Sequence, residues 1–202
     1  MSYKQDYLTS LNISMQKSLP ELKQLITEAE KSKKTLILEK LPYSRTDLEP
    51  VLSKTSLDYH YGTLAKGYVD RYNKGEGDSD FNEAGAFLHN IFFPQLRAPG
   101  SFKPYDTSLE FINRHFGDYD KFKAAVEEAA MKIQGSGWVY LSRNGEIKTI
   151  KNHQIRNDII LLIDWWEHSW FTDYGPDKQK YLKNLWRAID WSVINDRLAI
   201  KK

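Results

Sequence analysis

The spacing of hydrophobic positions changes character near the middle of the chain. Early on, Leu22, Leu25 and Ile26 recur at helical spacing behind a Ser18 cap and Pro20, and a charged run, EAEKSKK, follows. Thr35–Leu38 and Leu41–Tyr43 then read as extended chain, and Asp47–Pro50 as a turn. Residues 53–75 follow a helical period, with Leu57, His60, Tyr61, Leu64, Tyr68 and Val69 on roughly one face and Gly75 at the end. Residues 76–80 form a polar loop. A second helix is expected from Asn82 onward, carrying Ala86, Phe87, His89, Asn90 and Phe93, until Pro94, Pro99 and Gly100 break the pattern.

Beyond residue 100 helical and strand periods mix. Residues 118–134 read as an amphipathic helix capped by Asp118 and stopped by Gly135-Ser136-Gly137. Trp138–Ser142 and Ile147–Ile150 read as a hairpin around Asn144-Gly145. The unbroken apolar run Ile159–Ile163 is consistent with a buried central strand, and a helix follows over about 178–187. The pattern predicts an α+β protein. A helical extension (1–34) precedes a helical hairpin domain (35–100) and a C-terminal α/β domain (101–202) with a small antiparallel sheet.

Composition narrows the chemistry. A hydrophobic fraction of 41% with 28% charged residues is that of a globular chain rather than a disordered one. The net charge of +2, with both signs interspersed, argues against a nucleic-acid partner. No apolar run reaches the ~20 residues of a membrane helix, and the first residues lack a secretory pattern, so a cytoplasmic protein without a membrane partner is expected. With no cysteine, any metal must be held by His, Asp or Glu. Of the five histidines, His60 and His89 fall on separate predicted helices. His168 falls just past the apolar strand, four residues after Asp164. Together these would make a set suited to iron, manganese or zinc. For any one histidine a structural or surface role is the commoner case, so spacing alone leaves the set open.

The segment Asp164-Trp165-Trp166-Glu167-His168 resembles the Asp-x-Trp-Glu-His signature of the iron/manganese superoxide dismutases. Further segments resemble that family in the same order: Leu41-Pro42-Tyr43 with Leu48-Glu49-Pro50, His60 with Tyr68-Val69, and His89 with Phe92-Phe93. Phe116-Gly117, Asp120-Lys121-Phe122, Gly135-Ser136-Gly137-Trp138, Trp186 and Trp191 continue the series. The resemblance covers about residues 41–195. It implies one iron or manganese ion per subunit, between the two lobes, held by His60, His89, Asp164 and His168 with a bound water or hydroxide. It also implies superoxide as substrate, with the ion cycling between M(III) and M(II). Tyr68 is implied as a proton relay, Trp166 as a pocket wall, and His153 as a neighbour of the bound solvent, with Gln154 as the alternative if the alignment slips by one. Glu167 is implied at the interface of a homodimer or tetramer. His115 matches no functional position and reads as structural.

Several positions depart from the family pattern. Leu64 stands where a second histidine is usual four residues after the first ligand, and Ser169-Trp170-Phe171 replaces Ala-Tyr-Tyr. In the family that histidine and the final tyrosine hydrogen-bond across the dimer interface. Losing both together strands neither polar group. Phe93 replaces a pocket tryptophan, and the iron-type glutamine of the second helix has become small, near Gly85 or Ala86. Two other readings stay open from sequence: a relative with lost or altered activity, and a different metalloenzyme using the same open position.

Overall fold

The computed structural model describes residues 34–200. The helix expected near Leu22–Ile26 lies outside the described residues, and from Leu36 onward the chain packs as one unit. Leu36–Leu41 forms no strand. Its backbone is held by two asparagines: Asn73 bonds both N–H and C=O of Leu36, and Asn90 accepts from Glu39 N and donates to Ile37 O. Both amides occupy the helices that follow, so the entry segment is laced across them.

The helical pattern over 53–75 is present but not uniform. Helix α1 (Lys54–Tyr59) starts at Ser53, whose hydroxyl accepts from Ser56 N. A π-helical turn, His60–Ala65, follows, and α2 (Lys66–Lys74) ends at Gly75, φ 72°. Helix α3 (Ser79–Phe92) begins three residues before the expected Asn82, because Asp78 accepts from Phe81 N and caps it there. Ser79 and Asp80, expected in a loop, are therefore helical.

Helices α4 (Asp106–Phe116) and α5 (Tyr119–Met131) lead into a sheet of β1 (Gly137–Ser142), β2 (Ile147–Lys151) and β3 (Ile159–Trp165). Asp118 caps α5 as its spacing predicts. The hairpin turn uses Gly145 at φ 79°, and the ring of His115 fills the space that a Cβ there would need. Helices α6 (Phe171–Tyr174), α7 (Lys178–Leu185) and α8 (Trp191–Ala199) close the chain. The strands are antiparallel in the order β2-β1-β3.

That order corrects the expectation for Ile159–Ile163. The strand is buried along its whole length, but it is an edge strand and β1 is central. Its free edge is satisfied by side chains instead of a fourth strand. Gln95 accepts from Leu162 N (3.1 Å) and donates to Leu162 O, and Arg197 donates to Ile160 O (3.0 Å). The larger of two core clusters among the described residues joins both halves of the chain, with Leu57, Phe92 and Phe93 among the helices and Trp138, Trp165 and Trp191 in the α/β part. Among the described residues no helix is long and apolar enough to cross a membrane.

Candidate metal centre

Four elements converge where the helices meet the end of the sheet. His60 opens the π turn, His89 sits near the end of α3, and Asp164 is the sixth residue of β3. His168 lies in a 3-10 turn, Glu167–Ser169, just beyond. One ligand atom from each lies within 4.8 Å of all the others. Asp164 Oδ2 is 3.0 Å from His60 Nε2, 3.4 Å from His168 Nε2 and 3.7 Å from His89 Nε2. His60, His89 and Asp164 are buried to 2% exposure or less.

The hydrogen bonds orient these atoms. His89 Nδ1 is 2.7 Å from Gly85 O. A carbonyl can only accept, so Nδ1 carries the proton and the lone pair of Nε2 faces Asp164. Asp164 Oδ1 accepts from Trp166 N at 2.9 Å, which leaves Oδ2 to face the three imidazoles. His60 Nε2 and His89 Nε2 are buried without a hydrogen-bond partner. Two buried ring nitrogens without hydrogen-bond partners around one buried carboxylate are costly in a folded protein unless a cation sits between them.

The protonation states suit a cation. Burial holds His60 and His89 below the ordinary imidazole value, His89 well below it, and His168 and His60 respectively add to the effect. For Asp164 burial acts in the opposite sense, but the neighbouring His168 and His60 outweigh it and hold the carboxyl well below its usual range. Neutral imidazoles and an ionised carboxylate are the forms that ligate. Three nitrogens and one hard oxygen fit iron, manganese or zinc.

A second group of side chains lies against this cluster. Trp138 Nε1 donates to His153 Nδ1 at 3.1 Å, and His153 Nε2 is 3.0 Å from Tyr68 Oη. Since the indole can only donate, Nδ1 is the acceptor. The neutral ring therefore carries its proton on Nε2 and donates to Tyr68, whose own proton stays free to be given elsewhere. Burial lowers His153 to about 4 and raises Tyr68 to about 12, the Asp164 charge adding to the latter, so both are neutral near pH 7. Trp166 stacks on the His153 ring (4.5 Å, 15°) and lies 5.7 Å from His168. Gln154 is exposed and engages Arg156 at 2.6 Å, so His153 and not Gln154 occupies the site.

Two residues contribute in ways that the sequence did not assign to them. Trp138 sets the His153 tautomer, and only its place in Gly135-Ser136-Gly137-Trp138 hinted at it. Gly85 lets the Tyr68 ring approach: a Cβ there would stand 2.8 Å from Tyr68 Cγ. Phe92 and Phe93 wall His60 at 5.6 and 4.8 Å. Leu64 is partly buried, whereas Phe171 is 55% exposed. His115 lies apart from the cluster, against Phe111 and the β1–β2 turn.

Comparison with known proteins gives the same picture. Residues 35–80 match the model of the iron/manganese superoxide dismutase alpha-hairpin domain, and residues 104–197 that of the C-terminal domain. The chain is 33% identical over 184 residues to "Superoxide dismutase [Mn/Fe]" of Porphyromonas gingivalis, covering 78% of this chain and 96% of that one. It is 32% identical over 192 residues to "Superoxide dismutase [Fe]" of Bacteroides fragilis, covering 81% and 100%. The match to "Superoxide dismutase [Fe]" of Pyrobaculum aerophilum is 30% over 195 residues, covering 82% and 92%. With both domain models matched and relatives covered nearly end to end, the chain belongs to the iron/manganese superoxide dismutase family.

Proposed function

We propose that the chain is a superoxide dismutase, converting two superoxide anions and two protons into dioxygen and hydrogen peroxide. In this reading one iron or manganese ion per subunit is held by His60, His89, Asp164 and His168. The observation that carries it is the pair of buried, unpartnered Nε2 atoms facing the buried Asp164 carboxylate. When bound, the ion supplies one-electron chemistry by alternating between its divalent and trivalent states. The chain supplies the rest. Asp164 places one fixed negative charge among the imidazoles, and its Oδ1 is tied by Trp166 N–H. His153 donates to Tyr68 and leaves that hydroxyl's proton available for product formation. Trp166 stacks on His153 and Phe93 lies against His60, so apolar rings stand beside the ligand cluster.

The names of the relatives, superoxide dismutases of the iron or manganese/iron type, support this substrate and these metals. A cytoplasmic homodimer or tetramer is part of the same proposal, with Glu167 at the interface: Glu167 and Phe171 are both exposed and flank His168 in sequence. The test is superoxide turnover per bound metal, on protein loaded separately with iron and with manganese, with the sedimentation mass of the same samples. Rapid turnover with at least one metal and a mass of two or more chains are expected. Stoichiometric metal without turnover would sink the dismutase reading and make Leu64 and Phe171 its explanation. A monomeric mass would sink the interface.

A further inference from the structure

The edge of β3 is finished by two side chains that also reach the helix carrying His89. Gln95 is fully buried in the 3-10 turn (Phe93–Gln95) that continues α3. Its amide bonds both N–H and C=O of Leu162, two residues before Asp164. Arg197, on α8, donates through Nη1 to Gln95 Oε1 (2.9 Å) and Ile160 O (3.0 Å), and through Nη2 to Ile91 O (2.7 Å), two residues after His89. Its guanidinium is spent on carbonyl and amide oxygens, and burial lowers it to about 10. Arg143 in turn donates to Arg197 O at 2.7 Å and to Ile200 O at 3.0 Å, fixing the end of α8.

From this juxtaposition we infer that Gln95 and Arg197 are positioning residues for the metal site, acting as a clamp that sets the separation of His89 from Asp164. The inference rests on the ligand set proposed above. The physical reason is the planar, five-donor geometry of the guanidinium. It bridges α3 and β3 at fixed spacing, whereas a lysine ammonium is a point charge on a flexible stem. Ligand atoms held 3.7 Å apart by the fold cost little to reorganise around an ion, provided the elements bearing them cannot drift. An ordinary core contact would stabilise the fold without favouring that spacing. Unlike such a contact, the clamp joins the two ligand-bearing elements by directional bonds to four backbone groups: Ile91 O, Ile160 O, Leu162 N and Leu162 O.

The test compares full-length wild type, Gln95→Met, Arg197→Lys and a matched destabilised control, Val126→Ala, a buried core residue of α5 with no part in the clamp. Each is loaded with manganese. Metal transfer to excess chelator, the visible absorption of the oxidised protein and the melting temperature of the metal-free form are then recorded. Both clamp variants are expected to release metal at least about tenfold faster than wild type, a factor that corresponds to about 1.4 kcal/mol. Their absorption band should shift, while Val126→Ala releases metal like wild type at a comparable loss of melting temperature. If Gln95→Met fails to fold, Arg197→Lys, which keeps the charge and one donor group, decides alone. Release that tracks the control overturns the clamp and leaves the metal site standing. A wild type that takes up no metal overturns both.

Discussion

Gly85 lacks a side chain where one would collide with Tyr68, and the residue makes two contacts at the site. Its carbonyl receives His89 Nδ1–H, and its bare Cα leaves room for the Tyr68 ring. In Gly85→Ala the gain in helix propensity, about 1 kcal/mol, is opposed by overpacking that costs ~1–3 kcal/mol. The ring must move, and the Tyr68–His153 hydrogen bond goes with it. We expect a folded protein whose turnover drops at least about tenfold, as befits a misplaced proton donor. Unchanged turnover would mean that Tyr68 takes no part. At this scale the sequence is only partly readable. Nothing in the spacing of five histidines separates His115 from His60; the family resemblance does that. Which ring nitrogen carries a proton depends on Gly85 and Trp138, and these reach the histidines only after folding.

Elements were more legible, for a physical reason. A helix or strand advertises the face it buries, so residues 53–75, 118–134 and the β1–β2 hairpin are visible in the order of apolar positions. What the pattern does not report is pairing at a strand's edges. The run Ile159–Ile163 announces burial on both faces, and that burial is real, but its outer edge is met by Gln95 and Arg197 from distant sequence rather than by another strand. Nor does the pattern show the π turn at His60–Ala65, since one widened turn leaves apolar spacing almost unchanged. Helices α4 and α8 went unpredicted because each buries few residues, Ser108 and Ile112 in one, Trp191 and Ile194 in the other.

For the molecule as a whole, the buried imidazoles tie stability to pH. The unfolded chain protonates His153 near the ordinary 6.5, but the native ring resists until about 4. Its contribution is therefore complete above 6.5 and lost as the pH falls to about 4, and His60 and His89, also lowered by burial, act in the same sense. Asp164, held below its usual 3.8, contributes at all higher pH and loses its contribution only on further acidification. The melting temperature of metal-free protein should thus be level above pH 7 and fall steeply between 6.5 and 4. A flat profile across that window would mean that the histidines are not buried neutral. The central claim is that His60, His89, His168 and the one carboxylate, Asp164, exist to hold a redox metal. It is tested most directly by metal content per chain in wild type and Asp164→Asn, each purified after growth with iron and with manganese. The account predicts close to one ion per chain in the wild type and a small fraction of that in the variant. A wild type without metal, or a variant that retains a full complement, would contradict it.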